Sequence, residues 1–130
     1  MNSQEECGNA AESMVKGASR FERKERLKGR NFIQAVFNRG RCFGCKGAKL
    51  FALRNSLTYN RICFTFSRSF GNAVKRNRAR RLGREAYRLM RPRLHGGYDL
   101  ILLVFSEMQA SLAARTMQLE FLFSKAGLLK

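Results

Sequence analysis

Ser67 to Pro92 reads SRSFGNAVKRNRARRLGREAYRLMRP, and the reading of this stretch decides the rest. From Arg68 through Arg93 there are ten Lys or Arg, both ends included, and one acid, Glu85. A solvated helix face ordinarily mixes both signs of charge. A face this lopsided repels itself unless it meets a polyanion, of which a phosphate backbone is the commonest. Wound at about 100° per residue, Val74 to Arg91 separates into two arcs. Ala79, Leu82, Gly83, Ala86, Leu89 and Met90 fall on one. Asn77, Arg80, Arg81, Arg84, Arg88 and Arg91 fall on the other. The apolar arc is small-sided at Ala79, Gly83 and Ala86, so the helix is expected to lie close against a sheet. Gly71-Asn72 breaks whatever precedes it, Asn72 suits the N-cap, and Pro92 stops it.

These residues resemble a family. Gly71-Asn72-Ala73-Val74, then Lys75-Arg76-Asn77-Arg78-Ala79-Arg80-Arg81, then Arg84-Glu85, is similar to the signature of the bacterial ribonuclease P protein subunit, with Arg76-Asn77-Arg78 as its core. A bare tripeptide would carry no weight; the length and fixed spacing of the signature carry the resemblance. It extends over about Phe21 to Lys130 and is densest from Ser67 to Tyr87.

The whole chain of 130 residues has 26 Lys or Arg against 9 Asp or Glu, a formal charge of +17. That is the balance of a nucleic-acid binder, in one domain with room for a modest core. Residues 1–19 are read as a disordered extension and 20–130 as a single RNA-binding domain. No apolar run approaches the roughly 18 residues of a membrane span, and the start lacks a signal-peptide core, so a cytoplasmic location is expected.

Outward from the basic helix, Arg61–Arg68 before it and Tyr98–Phe105 after it read as strands. Ile62, Phe64 and Phe66 alternate against Cys63, Thr65 and Ser67, whereas YDLILLVF suits a strand buried on both faces. Gly96-Gly97 supplies the turn before the latter. Ala48–Arg54 is a further strand, with Lys49, Phe51 and Leu53 on one face; residues 55–60 are expected to form a hairpin loop, and Arg41–Cys45 a short first strand. Asn31–Asn38 is the first helix, stopped at Gly40, with Ile33 and Phe37 at i and i+4 and Phe32 and Val36 one residue displaced. The basic stretch before it gains its first buried contact at Leu27. Residues 106–130 read as a final helix ending at Gly127, its apolar stripe Leu112, Met117, Leu119, Phe121, Leu122 and Phe123; Phe121 and Phe123 are read as core.

The expected fold is therefore α+β, a two-layer sandwich in the order α-β-β-β-α-β-α with a βαβ crossover. Base rates favour a right-handed crossover. The resemblance implies the rare left-handed one of the ribosomal protein S5 domain 2-like fold, and the left-handed form is adopted here.

No constellation for cleaving a phosphodiester is present. The chain has one His, no Ser/His/Asp set, and nine acids without metal-ligand spacing, so no catalytic residue and no protein metal site are assigned. Of the four Cys, Cys42 and Cys45 form a CxxC, but Cys7, Cys63 and His95 make a poor remainder for zinc, and reduced thiols are the expectation.

The resemblance fits this absence. It implies that a catalytic RNA subunit cleaves the 5′ leader from precursor tRNA while the protein, monomeric in the ribonucleoprotein, assists, with Mg2+ bound mainly by the RNA. It implies two surfaces. Lys75, Arg76, Asn77, Arg78, Arg80, Arg81, Arg84 and Arg88 would meet the RNA subunit, Arg being suited to bidentate phosphate contacts. A cleft between the first helix and the sheet would hold the single-stranded leader through Phe37, Phe51, Arg68 and either Ile33 or Phe32. In the family frame Val36, Phe37 and Gly40 match; the first aromatic falls on Ile33, with Phe32 one place early. Ser69 stands where a second basic residue is frequent. The alternatives are a plain basic RNA-binding module, which would not stimulate tRNA cleavage, and a helix-turn-helix DNA binder, disfavoured because a strand precedes the basic helix.

Overall fold

The computed structural model describes residues 21–105 and 111–130, so the reading of 1–19 lies outside the described residues. Helices α1 (Arg30–Arg39), α2 (Ala73–Met90) and α3 (Leu112–Ala126) pack with strands β1 (Arg41–Cys45), β2 (Ala48–Arg54), β3 (Arg61–Phe66) and β4 (Tyr98–Val104). The sheet order is β1-β2-β4-β3. β1 and β2 form an antiparallel hairpin across Lys46-Gly47, β4 runs antiparallel to β2, and β3 runs parallel to β4. Thus β3, α2 and β4 form the expected βαβ unit, and the chain has the expected α+β element order.

β4 sits between two strands and its middle is covered on both faces, which explains its unbroken run of apolar residues: Leu100, Ile101 and Leu102 are fully buried. Toward one face, Leu100, Leu102 and Val104 join Leu50, Ile62 and Phe64 under α2 and α3. Toward the other, Ile101 joins Leu27 and Val36 beneath α1, with Ile33, Phe51, Leu53 and Cys63 at the margin. α1 covers only part of this second face, and Lys49 on it remains exposed.

The loop after β2 differs from expectation. Residues 55–60 are not a hairpin, because β4 is inserted between β2 and β3. The loop instead passes over the start of β4. Asn60 ties it there: its Nδ2 donates to the His95 carbonyl at 2.9 Å, and its Oδ1 accepts from the Tyr98 N–H at 2.8 Å. Gly96 is required by this crossing, since a Cβ there would lie 2.4 Å from the Thr58 carbonyl oxygen. Alternation in sequence locates strands but does not report which strand is inserted between two others.

α2 begins at Asn72, whose side chain accepts from the Lys75 N–H at 3.0 Å, and Pro92 lies in the 3-10 turn that follows it. Its buried residues are Ala79, Gly83, Ala86, Tyr87 and Met90. Tyr87 was absent from the expected apolar arc and Leu89, which was included, is exposed. Leu89 lies about a quarter turn from the arc's centre, where its apolar character does not suffice to bury it. Tyr87 packs edge-on against Phe21 and Phe123, with ring centroids 5.8 and 6.5 Å away. Burial pushes its hydroxyl pKa far above the usual phenol range.

The final helix begins at Leu112, with Ser111 as N-cap accepting from the Ala114 N–H, and ends at Gly127 in the left-handed region (φ 75°); the reading of residues 106–110 as part of it lies outside the described residues. Leu119, Leu122, Phe123 and Ala126 form its buried stripe. Met117 and Phe121, assigned to that stripe from sequence, are 70% and 52% exposed. The i, i+3, i+4, i+7 series through Leu119 leaves them on the far side. Arg115 is buried on this helix with its Nη1 donating to Gln118 Oε1. The terminal residues fold back, as the Lys130 N–H donates to the Arg93 carbonyl at 2.8 Å.

The first buried contact of the N-terminal segment is Glu25, not Leu27. Glu25 is 4% exposed, and Arg91 Nη1 donates to its Oε2 at 2.5 Å. A charge in a polar stretch gives no periodic signal, so this anchor is invisible to apolar patterning.

Candidate nucleic-acid interface

The eight residues expected on the RNA-facing side of α2 are not equivalent. Lys75, Asn77, Arg78 and Arg81 are exposed along one side of the helix. Arg80 Nη1 donates to Asn77 Oδ1 at 3.0 Å and its guanidinium lies 5.3 Å from the Phe66 ring centroid. Arg84 lies 5.9 Å from the Phe21 ring. Both lean toward β3, where with Arg26 and Lys28 they border a cavity of about 120 Å³ floored by Cys63. Among the described residues no carboxylate lines that cavity. Burial, then the neighbouring Arg26 and Arg80, lower the pKa of Arg84 from its ordinary value. Like charges held together this way favour an anion between them.

Arg76 and Arg88 are engaged within the protein. Arg76 Nε donates to the Gly71 carbonyl at 3.0 Å, and its Nη2 to those of Ser67 and Arg68 at 3.1 and 3.3 Å. The guanidinium fork thus closes the loop between β3 and α2. Arg88 donates to both oxygens of Glu85, at 3.1 and 2.5 Å. That pairing raises the pKa of Arg88 and lowers that of Glu85.

On the opposite face of the sheet, Phe37 meets Phe51 edge-on, with centroids 4.9 Å apart. Fully buried Val36 pins α1 to the sheet, and the i, i+4 spacing places Ile33 beside Phe37. Ile33, Phe37 and Arg30 border a shallow cavity of about 360 Å³. Of Ile33 and Phe32, Ile33 is the one on the Phe37–Phe51 side of α1. Phe32 lies on the other flank of α1, with the Arg61 guanidinium 4.6 Å from its ring centroid.

Arg68 is exposed beyond the Phe66–Val104 pair, whereas Phe51 shares a row with Ile101 and Cys63. The Phe66–Val104 pair is itself three residues, about 10 Å, up the sheet from that row, and Arg68 lies beyond it. Lys49 occupies the intervening row with Leu103 and Thr65 and lies 5.9 Å from the Phe105 ring. Sequence reasoning placed Lys49 on the Phe51 face by alternation but gave it no role. A cation in alternation with Phe51 and Leu53 was the available signal.

The carboxylates Glu25, Glu85, Asp99 and Glu120 each pair with an arginine, on separate elements. No cluster of three or more metal-ligating side chains occurs among the described residues. A magnesium ion prefers an open octahedral oxygen set, which these paired carboxylates do not provide. Cys42 and Cys45 lie three apart on β1, which directs them to opposite faces of the sheet. The CxxC therefore offers neither a chelate nor a dithiol pair. Among the described residues, no helix is long and apolar enough to cross a membrane.

Comparison with known proteins agrees with this architecture. The Ribonuclease P family profile matches residues 21–127. The ribonuclease P protein component of Natranaerobius thermophilus is 47% identical over 77 residues, covering 59% of this chain and 67% of the relative. That of Symbiobacterium thermophilum is 36% identical over 107 residues, covering 81% and 93%. The RNase P protein of Staphylococcus aureus superposes with a TM-score of 0.71 at 20% identity over 82% of this chain and 98% of that one, a likeness of fold. The chain belongs to the ribonuclease P protein family, the accessory protein component of an endoribonuclease of tRNA processing.

Proposed function

We propose that this chain clamps the RNA subunit and the precursor-tRNA leader at once, using two surfaces on either side of β3. The RNA subunit meets Lys75, Asn77, Arg78, Arg80, Arg81 and Arg84. Arg76 and Arg88 support that face: the first closes the loop before α2, the second is neutralised by Glu85. The leader runs along the half-covered sheet face, stacking on Phe37 and Phe51, flanked by Ile33, with Lys49 and Arg68 along its path. The observation that carries this reading is the Phe37–Phe51 pair, half open to solvent and continuous with cationic positions on a chain of the family. Base stacking with backbone cations is the physics of single-strand binding.

Cleavage belongs to the RNA, and magnesium bound there supplies the hydrolytic chemistry. The protein's own contribution is charge neutralisation and positioning, as a monomer in a cytoplasmic ribonucleoprotein. The test is precursor-tRNA cleavage by a bacterial ribonuclease P RNA at low magnesium, with and without this chain. Stimulation is expected. Folded, RNA-binding protein that leaves the rate unchanged would instead be a plain RNA-binding module.

A further inference from the structure

Phe32 is not used by either surface, yet it is half exposed, and its placement is specified from several sides. The φ of Gly29 is +100°, which favours glycine, and the Phe32 ring packs against it so closely that a Cβ there would lie 3.2 Å from Phe32 Cδ2. Arg61 stacks over the ring at 4.6 Å. Arg61 is itself immobilised, donating through Nε and Nη2 to Asp99 Oδ1 and Oδ2 at 2.8 and 2.7 Å. Asp99, 5% exposed, also accepts from Asn55 Nδ2 at 2.9 Å, so its charge is spent inside the protein. The Asn55 Oδ1 in turn accepts from the Leu57 N–H at 2.8 Å, shaping the loop after β2.

Between this loop and the outer flank of α1 lies a cavity of about 540 Å³, bordered by Phe32, Arg39, Ser56, Leu57 and Arg61. That is the size range of a nucleotide site. Arg39 lies two helical turns from Phe32, about 10 Å along α1, close to the span from a base to a neighbouring phosphate. Among the described residues the one carboxylate at the cavity, Asp99, is fully engaged, which leaves it electropositive beside a half-exposed aromatic ring.

We propose that this cavity is a second single-stranded RNA subsite, on the flank of α1 opposite the Phe37–Phe51 cleft, in which a base stacks on Phe32 and an adjacent phosphate meets Arg39. The proposal rests on the RNA-binding reading above but adds a site to it. The Asp99–Arg61–Phe32 stack pre-orders the ring, so little side-chain freedom is lost when a base arrives. Ser56 at the rim supplies a hydroxyl for sugar or base.

The test is equilibrium binding of a fluorescein-labelled, unstructured RNA ten-mer to the full chain across a salt titration, with an RNA duplex measured in parallel. Phe32→Ala and Phe32→Leu are expected to weaken the ten-mer by about 5-fold or more, with Phe32→Tyr retaining parental affinity. Duplex affinity is expected to be unchanged in all three, and Arg39→Gln to lower the ten-mer salt slope by about 0.7. Thermal melting confirms that each variant is folded. Phe32→Leu binding as tightly as the parent would show that the ring only packs on Arg61, and would overturn the proposal. So would equal losses on ten-mer and duplex. If Phe37→Ala weakens the ten-mer while the Phe32 variants do not, the subsite fails and the cleft stands. If the parent binds no single strand, both fail together.

Discussion

Gly83 of α2 lies so close to the Phe64 ring of β3 that a Cβ on it would come within 2.7 Å of Cε1. This contact sets how near the basic helix approaches the sheet, and through that where Arg80 and Arg84 emerge. Gly83→Ala adds helix propensity worth about 1 kcal/mol, but overpacking costs about 1–3 kcal/mol. Net destabilisation is expected in urea unfolding. Gly83→Ala combined with Phe64→Leu is expected to be less destabilised than the sum of the single changes. A Gly83→Ala protein as stable as the parent would contradict the packing described.

Arg76 and Arg81 are expected to separate, although both belong to the same signature. Arg76→Ala releases three backbone carbonyls at the β3–α2 loop, and should lower both the melting temperature and RNA affinity. Arg81→Ala should leave stability within about 0.5 kcal/mol, as for exposed positions, and reduce the salt slope of RNA binding by about one unit. Arg80→Ala with Arg84→Ala should lower that slope by about one to two units. Melting curves and salt-dependent binding isotherms read these effects separately.

Glu25 holds the N-terminal segment onto α2 through Arg91, with side chains 5% and 21% exposed. Removing Glu25 deletes a buried, charge-assisted hydrogen bond to Arg91, at a cost of about 1.5–3 kcal/mol. Glu25→Ala is therefore expected to shift the urea midpoint downward by far more than Glu120→Ala, whose partner Arg93 is exposed. Equal shifts would contradict the anchoring role.

Burial pushes the Cys63 thiol up from its ordinary value, with Arg80 and Arg84 opposing it, and burial also raises Cys45. Cys42 is exposed. Because the thiolate is the reactive form, iodoacetamide at neutral pH should modify Cys42 before Cys45 or Cys63. Raising the pH should speed the latter two. Peptide mass mapping over time checks the order.

Much of this arrangement was legible in the sequence because it is periodic. α2 and its Asn72 cap follow from the spacing of Ala79, Gly83, Ala86 and Met90, and β4 from its continuous apolar run. Ile33 and Phe37 share a face because helices repeat at i and i+4. What escaped depends on contacts between distant segments. The insertion of β4 between β2 and β3, the Glu25–Arg91 pair and the Asp99–Arg61–Phe32 stack leave no local pattern. Arg76 was legible as part of a motif but not as a loop clamp, since its partners are backbone carbonyls. Phe121 was misplaced because an aromatic residue near a buried stripe looks the same in sequence whether it joins the stripe or faces away from it.

The most direct test of the two-surface account is the affinity of reconstituted holoenzyme for precursor tRNA and for mature tRNA, with the parent chain and with Phe37→Ala. Phe37 is 40% exposed and meets Phe51 in the cleft, so its loss should weaken precursor binding by about 5-fold or more through lost stacking. Mature tRNA affinity should be unchanged. Equal weakening of both substrates would contradict a leader site at Phe37 and reduce that residue to a packing role.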